Sequence, residues 1–187
     1  RYCLEKAYFL ALNGRPGPCW LDIPINIQGA TVDTDELEGY EPEPLSSLGI
    51  ESVQDVEKKI DQILELLSKA ERPVIYAGNG VRISGATEEL KILAEKLNIP
   101  VATCWDSIDV IDTESMNYVG RAGIMGDRAG NFAVQNSDLI IAIGTRLSIR
   151  QVGYDYKTWA REAKVIMVDI DKEEFKKHTI HIDLAVE

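Results

Sequence analysis

The sequence is poor in the residues that most often build reactive centres. It has two histidines, His178 and His181, and three cysteines, Cys3, Cys19 and Cys104. The cysteine number is odd and no pair stands at C-x-x-C or metal-ligand spacing, so neither a disulfide framework nor a zinc site is indicated. Each cysteine falls inside an apolar segment, which suggests buried free thiols in a reducing cytoplasm. The histidines lie three apart without a carboxylate motif around them, so a surface or packing role is expected. Basic charge is also short: 20 Lys and Arg against 31 Asp and Glu leave a net charge of -11. Such a surface repels phosphate backbones and anionic lipid, which speaks against nucleic-acid and membrane partners. No apolar run is long enough to cross a membrane and no signal-peptide pattern stands out, so a cytoplasmic location is expected. A G-x-S-x-G elbow, a Cys–His pair and a P-loop are all missing. No catalytic residue and no metal ligand is therefore assigned.

What the chain does have is apolar content. Hydrophobic residues make up 45% of 187, enough for one sizeable core, with room for an appendage. Tyr2 to Leu12 has helical periodicity and ends at Asn13-Gly14; after a Pro-Gly-Pro turn, Cys19 to Ile23 reads as a short strand. This small piece is expected to be the tail of a preceding domain, residues 1–28. The chain starts at Arg1, which suggests a piece of a longer protein. Residues 29–50 form a connector rich in acid and proline, extended and solvated. The main domain is expected over 51–187. There, Ser52 with Asp55 suggests a capped helix whose stripe runs through Val56, Ile60, Ile63, Leu64 and Leu67.

The remainder alternates. Val74–Ala77, Val101–Cys104, Tyr118–Val119, Leu139–Ile143, Val165–Val168 and Ile182–Ala185 read as strands. Helices are expected from Thr87 to Asn98 and after Asp127, the latter residue as a cap. The pattern predicts an α/β fold: a Rossmann-like open parallel sheet of about six strands with helices on both faces.

In such a sheet, ligands sit beyond the carboxyl ends of the strands. Gly144, Arg146 and Arg150 follow Leu139–Ile143 there, and the two arginines either hold an anion or tie their loop to carboxylates. Gly78-Asn79-Gly80 follows a strand and precedes a helix, the right context for phosphate. However, the next glycine is Gly85, so the spacing is not the dinucleotide fingerprint, and a tight turn is the alternative. Gly120 to Gly126 is either a ligand-facing or a structural loop. Asp169-Ile170-Asp171 either meets a ribose or caps a short helix.

Taken in order, the motifs resemble a known family. G-R-P-G-P-C-W-L-D-I-P (14–24) is similar to the end of the pyrimidine-binding domain of thiamine diphosphate enzymes of the acetolactate synthase kind. R-P-V-I-Y-A-G-N-G-V (72–81), L-N-I-P-V-A-T (97–103), G-I-M-G-D-R-A-G-N-F-A (123–133), S-D-L-I-I-A-I-G-T-R (137–146) and K-V-I-M-V-D-I-D (164–171) resemble its central domain, a Rossmann-like fold of the type that binds NAD or FAD. The resemblance implies a scaffolding central domain that carries FAD, another nucleotide or no ligand. Candidate contacts by position are Gly78, Gly80, Thr103, Cys104, Ile124, Met125, Gly126, Gly144, Arg146, Arg150, Asp169 and Ile170. Family members often have Met-His where this chain has Ile124-Met125, and Arg-Phe-Asp-Asp-Arg where it has Arg146-Leu-Ser-Ile-Arg150. The resemblance also implies thiamine diphosphate and Mg2+ in a full-length parent, bound outside this chain, and a parent that forms homodimers or homotetramers. Its partners would include other domains of the same polypeptide, and this piece alone would be inactive. A stand-alone nucleotide-binding module or an NAD-dependent deacylase-like domain is the alternative.

Overall fold

The computed structural model describes residues 1–42 and 53–187. The chain divides into two compact units, Arg1–Ile50 and Glu51–Glu187. The Ser52 cap expected from the sequence lies outside the described residues.

In the first unit, helix α1 spans Tyr2–Leu12 and a short α2 spans Ile25–Gln28. The Glu5 carboxylate joins Arg1 at 2.8 Å and accepts the Tyr40 N–H at 2.7 Å. The Tyr40 ring meets Tyr2 edge-on at 5.5 Å. None of the residues of α1 is buried, and Trp20 is 92% exposed. The strand expected at Cys19–Ile23 is not formed. The segment carries no ladder, because a strand exists only where a neighbouring edge takes its N–H and C=O groups. Cys3 and Cys19 are exposed and only Cys104 is buried, which corrects the expectation of three buried thiols.

The second unit holds α3 (Val53–Lys69), β1 (Pro73–Ala77), α4 (Asn79–Ile83), α5 (Thr87–Leu97), β2 (Val101–Thr103), β3 (Tyr118–Arg121) and α6 (Arg128–Gln135). Then come β4 (Leu139–Ile143), α7 (Ile149–Val152), β5 (Lys164–Val168) and β6 (Leu184–Val186), with 3-10 turns at Tyr156–Thr158 and Lys172–Lys176. The six strands form one sheet in the order β3-β2-β1-β4-β5-β6, and every pair is parallel. The fold expectation is met, with small differences at strand ends and with unforeseen short helices α4 and α7.

Strand alternation sorts the core into two layers. Val74, Tyr76, Ala102, Ile140, Ala142 and Val165 point to the layer closed by Val134 of α6, Val152 of α7 and Trp159. Ile75, Ala77, Val101, Leu139, Ile141 and Ile166 point to the opposite layer, closed by Val81 of α4, Leu90 and Ala94 of α5, and Ile63, Leu66 and Leu67 of α3. Apolar residues two apart on both faces are what make these strands continuous hydrophobic runs. Helix α5 stops at Asn98, whose φ of 51° is left-handed, a conformation that asparagine tolerates better than most side chains.

Asp127 occupies the position before α6 but its side chain makes no cap hydrogen bond; both its oxygens go to Arg121 instead. Close packing also fixes α6. A Cβ on Gly130 would lie 2.2 Å from the Arg121 carbonyl oxygen. Gly to Ala inside a helix ordinarily gains about 1 kcal/mol. Here Gly130→Ala is expected to cost about 2–3 kcal/mol, because backbone must move. Urea unfolding checks this; equal or higher stability would contradict the contact.

Candidate functional site

The strand order reverses between β1 and β4, which makes the carboxyl end of that pair the topological switch point. The sequence places Gly78-Asn79-Gly80 after β1 and Gly144-Thr145-Arg146 after β4, and the fold brings the two turns into contact. A Cβ on Gly78 would lie 2.3 Å from the Gly144 carbonyl oxygen, and one on Gly80 would lie 2.6 Å from the Gly144 Cα. Gly144 has a φ of +60°. The Gly78 N–H donates to Ile143 O and the Gly80 N–H to Gly144 O, both at 2.9 Å. These donors are therefore taken by the sheet's own loops, and of the two readings of this turn the tight-turn one describes what is seen. The Asn79 Oδ1 is buried without a partner. It is an acceptor, so it suits a hydroxyl or amino group rather than a phosphate.

Thr103 and Cys104 close β2. Their side chains are 0% and 1% exposed, so neither presents a side chain to the crevice. The Cys104 Sγ lies 3.2 Å from Thr145 Oγ1, bridging the ends of β2 and β4. Burial pushes the Cys104 thiol up, opposed by its hydrogen bonds, so it stays protonated and is no nucleophile. Ser107 Oγ donates to Ala77 O at 2.9 Å, which fastens the same loop to β1.

The glycine-rich loop after β3 is held from three sides. Arg121 grips Asp127 through Nε–Oδ2 at 3.0 Å and Nη2–Oδ1 at 2.8 Å, and the Arg121 N–H adds a bond of 2.9 Å to Oδ2. Asn131 accepts the Gly123 N–H at 2.8 Å and donates to Gly123 O at 3.1 Å. Ile124 N–H donates to the Arg150 carbonyl at 2.8 Å, and a Cβ on Gly123 would lie 2.4 Å from that same oxygen. Ile124 and Met125 remain exposed, and Gly126 packs on the Arg121 and Ala122 backbone.

The arginines end in different places. Arg146 reaches Glu174 at 3.6 Å with its side chain more than half exposed. The Arg150 guanidinium lies over the Trp105 ring, 4.9 Å from its centroid. Asp169 Oδ1 accepts the Asp171 N–H at 3.0 Å, and Asp171 in turn caps the following 3-10 turn through the Glu173 N–H. Ile170 is exposed. The strand ends thus gather Gly78, Gly80 and Gly144 in one contact, and Ile124, Gly123 and Arg150 in another. Trp105, Asn131 and Thr145 belong to the same rim. So does Leu147, buried with a φ of 46°, a left-handed conformation that costs about 1 kcal/mol or more in a non-glycine residue.

Residues 60–186 match the family described as thiamine pyrophosphate enzyme, central domain. The chain belongs to this family. The chain is 37% identical over 190 residues to a probable acetolactate synthase large subunit of Methanocaldococcus jannaschii, covering 97% of this chain and 30% of that protein. It is 36% identical over 179 residues to an acetolactate synthase large subunit of Corynebacterium glutamicum, covering 93% and 27%. Acetolactate synthase isozyme 2 large subunit of Escherichia coli is 33% identical over 174 residues, covering 93% and 30%. The chain spans about 30% of the length of these relatives.

Asp127 is not available to a metal ion, because Arg121 engages both its oxygens. Among the described residues no group of three or more His, Cys, Asp or Glu could hold a metal ion. No helix among them is long and apolar enough to cross a membrane.

The Arg121 side chain, then its N–H, hold the Asp127 carboxyl down at about 2, against an ordinary 3.8. A carboxylate depressed in the folded state contributes stability above its unfolded pKa, and loses it as pH falls through the folded value. Because the pair is about 42% exposed, the contribution is about 1 kcal/mol or less. Asp127→Asn is expected to lower stability by about that amount near neutral pH. The gap from the unchanged chain should close between about pH 4 and pH 2. A gap constant with pH would show that the pair contributes nothing through charge.

Proposed function

We propose that this chain is the central domain of an acetolactate-synthase-like large subunit acting on 2-oxo acids in the cytoplasm. The observation that carries this is identity of 33–37% to acetolactate synthase large subunits over 93–97% of the chain. Thiamine diphosphate with Mg2+, when bound by the parent, supplies the electron sink for decarboxylation and carbon–carbon bond formation. The residues described here take another part. Two well-packed layers around a parallel sheet make a rigid body against which other domains of the polypeptide, and further copies in a homodimer or homotetramer, would rest.

A nucleotide such as FAD is the finer reading of the rim. It is favoured by the Arg150–Trp105 stack beside the exposed Ile124 and Met125. In this reading Arg146 and Arg150 meet the ligand's anionic groups, and the Gly123–Gly126 loop and Ile170 line its flat portion. Gly78, Gly80 and Gly144 act by bringing backbone close rather than by donating to phosphate.

Two experiments separate these claims. Full-length parent supplied with pyruvate, thiamine diphosphate and Mg2+ is expected to form acetolactate, read colorimetrically, while this chain alone releases no carbon dioxide. Turnover by the isolated chain, or none by the parent, overturns the first reading. For the second, the chain is titrated with FAD and with ADP, following binding by isothermal titration calorimetry. Arg146→Ala and Arg150→Ala are each expected to weaken binding by about tenfold or more, about 1.4 kcal/mol. Absence of binding by the unchanged chain overturns the nucleotide reading and leaves the first one standing.

A further inference from the structure

On the outer side of α6, Arg128, Asn131, Phe132, Gln135 and Asn136 face Arg161 across an open groove of about 460 Å3. Phe132 is 56% exposed, a large apolar ring in the groove wall. The Arg128 guanidinium lies over that ring, 5.3 Å from its centroid. The far side is fixed as well. Gln135 Oε1 accepts the Ala160 N–H at 3.1 Å, next to Arg161, and Trp159 and Ala160 are buried. The segment that carries Arg161 is therefore pinned to α6, and Arg161 lines the groove together with Arg128 and the ring.

Charge gives this surface its character. Several exposed cations elsewhere sit beside carboxylates of their own neighbourhood: Arg1 by Glu5, Lys58 by Asp55, Lys69 by Glu65, Lys91 by Glu88, and Lys176 by Glu173. Acidic residues outnumber basic ones by 31 to 20, so a partner for every cation is available in number. Arg128 and Arg161 nevertheless have no ion pair among the described residues. Unpaired guanidinium groups flanking an exposed aromatic ring are the composition of a recognition surface for carboxylates that carry an apolar group with them.

We propose that this groove docks an acidic segment of a partner protein, with carboxylates on Arg128 and Arg161 and one apolar side chain against Phe132. An extended segment suits an open groove, whereas a small ligand is held best in a concave, enclosing site. Exposed ion pairs contribute little each, so affinity is modest, salt-sensitive and dependent on the ring. The site is independent of the nucleotide reading of the strand ends.

The test is a nitrogen-15 titration of the chain with a short synthetic peptide of glutamates around one leucine. The same peptide with lysines and free glutarate serve as controls. The acidic peptide should shift amides of α6 and of residues 160–162 in a saturable way, the lysine peptide should not, and glutarate should bind at least about tenfold more weakly. Arg128→Ser with Arg161→Ser, and separately Phe132→Ala, should each lower peptide affinity about tenfold while the remaining spectrum stays unchanged. Shifts outside the groove, unchanged affinity in both variants, or equal binding of glutarate would overturn the docking surface; the last outcome would make it a small-carboxylate site.

Discussion

The architecture turns on a backbone-to-backbone contact at the switch point. Gly78 and Gly80 lie so close to Gly144 that no side chain fits between them, and hydrogen bonds from both glycine N–H groups cross the gap. In a parallel sheet the loops after the two strands flanking the reversal normally diverge and leave a crevice. Here they are tied together at the base, and Gly144 N–H continues the tie to Val168 O of β5. The loops after three adjacent strands therefore share one anchor. What remains open lies further out, where Trp105, Ile124, Met125, Arg150 and Ile170 are exposed.

Much of this was readable in the sequence, for identifiable reasons. Leu139–Ile143 and Val165–Val168 announce themselves because strands covered on both sides need apolar residues without a polar face. The stripe of α3 and the Leu90–Ala94 spacing of α5 follow from having one side against the sheet. What misled was anything whose meaning depends on a distant partner. A G-x-G after a strand looks the same whether its N–H groups meet a phosphate or the carbonyls of a loop some 65 residues later. Asp127 looks like a helix cap, yet Arg121 is the stronger claimant because a guanidinium offers two parallel charge-assisted bonds. Cys19–Ile23 has strand-like composition, but composition supplies no neighbouring edge. Trp105 and Asn131 gave no signal, since a single aromatic or amide in a loop matches no pattern.

The distribution of charge adds a second organising theme. The chain is acidic as a whole, but its arginines are placed with distinct duties. Arg121 is locked into the glycine loop, Arg146 leans on Glu174, Arg150 stacks on Trp105, and Arg128 stacks on Phe132. Two of the four are paired with aromatic rings rather than carboxylates. Guanidinium groups are suited to this because they are planar and weakly hydrated. A ring-stacked arginine keeps its in-plane donors outward, so it is ordered without being neutralised.

The glycine-rich loop shows a separation of outline from character. Its path is dictated by main-chain atoms and by residues anchored elsewhere: the Arg150 carbonyl, the Asn131 amide and the Arg121–Asp127 clasp. The two side chains at its tip, those of Ile124 and Met125, contribute little to that outline and are largely in solvent. Substitutions at the tip could therefore retune what the domain meets without disturbing how the loop is drawn. Changes at Gly123 or Asn131 would redraw the loop whatever stood at its tip. A fold built this way can diversify its chemistry at two letters while keeping its grammar.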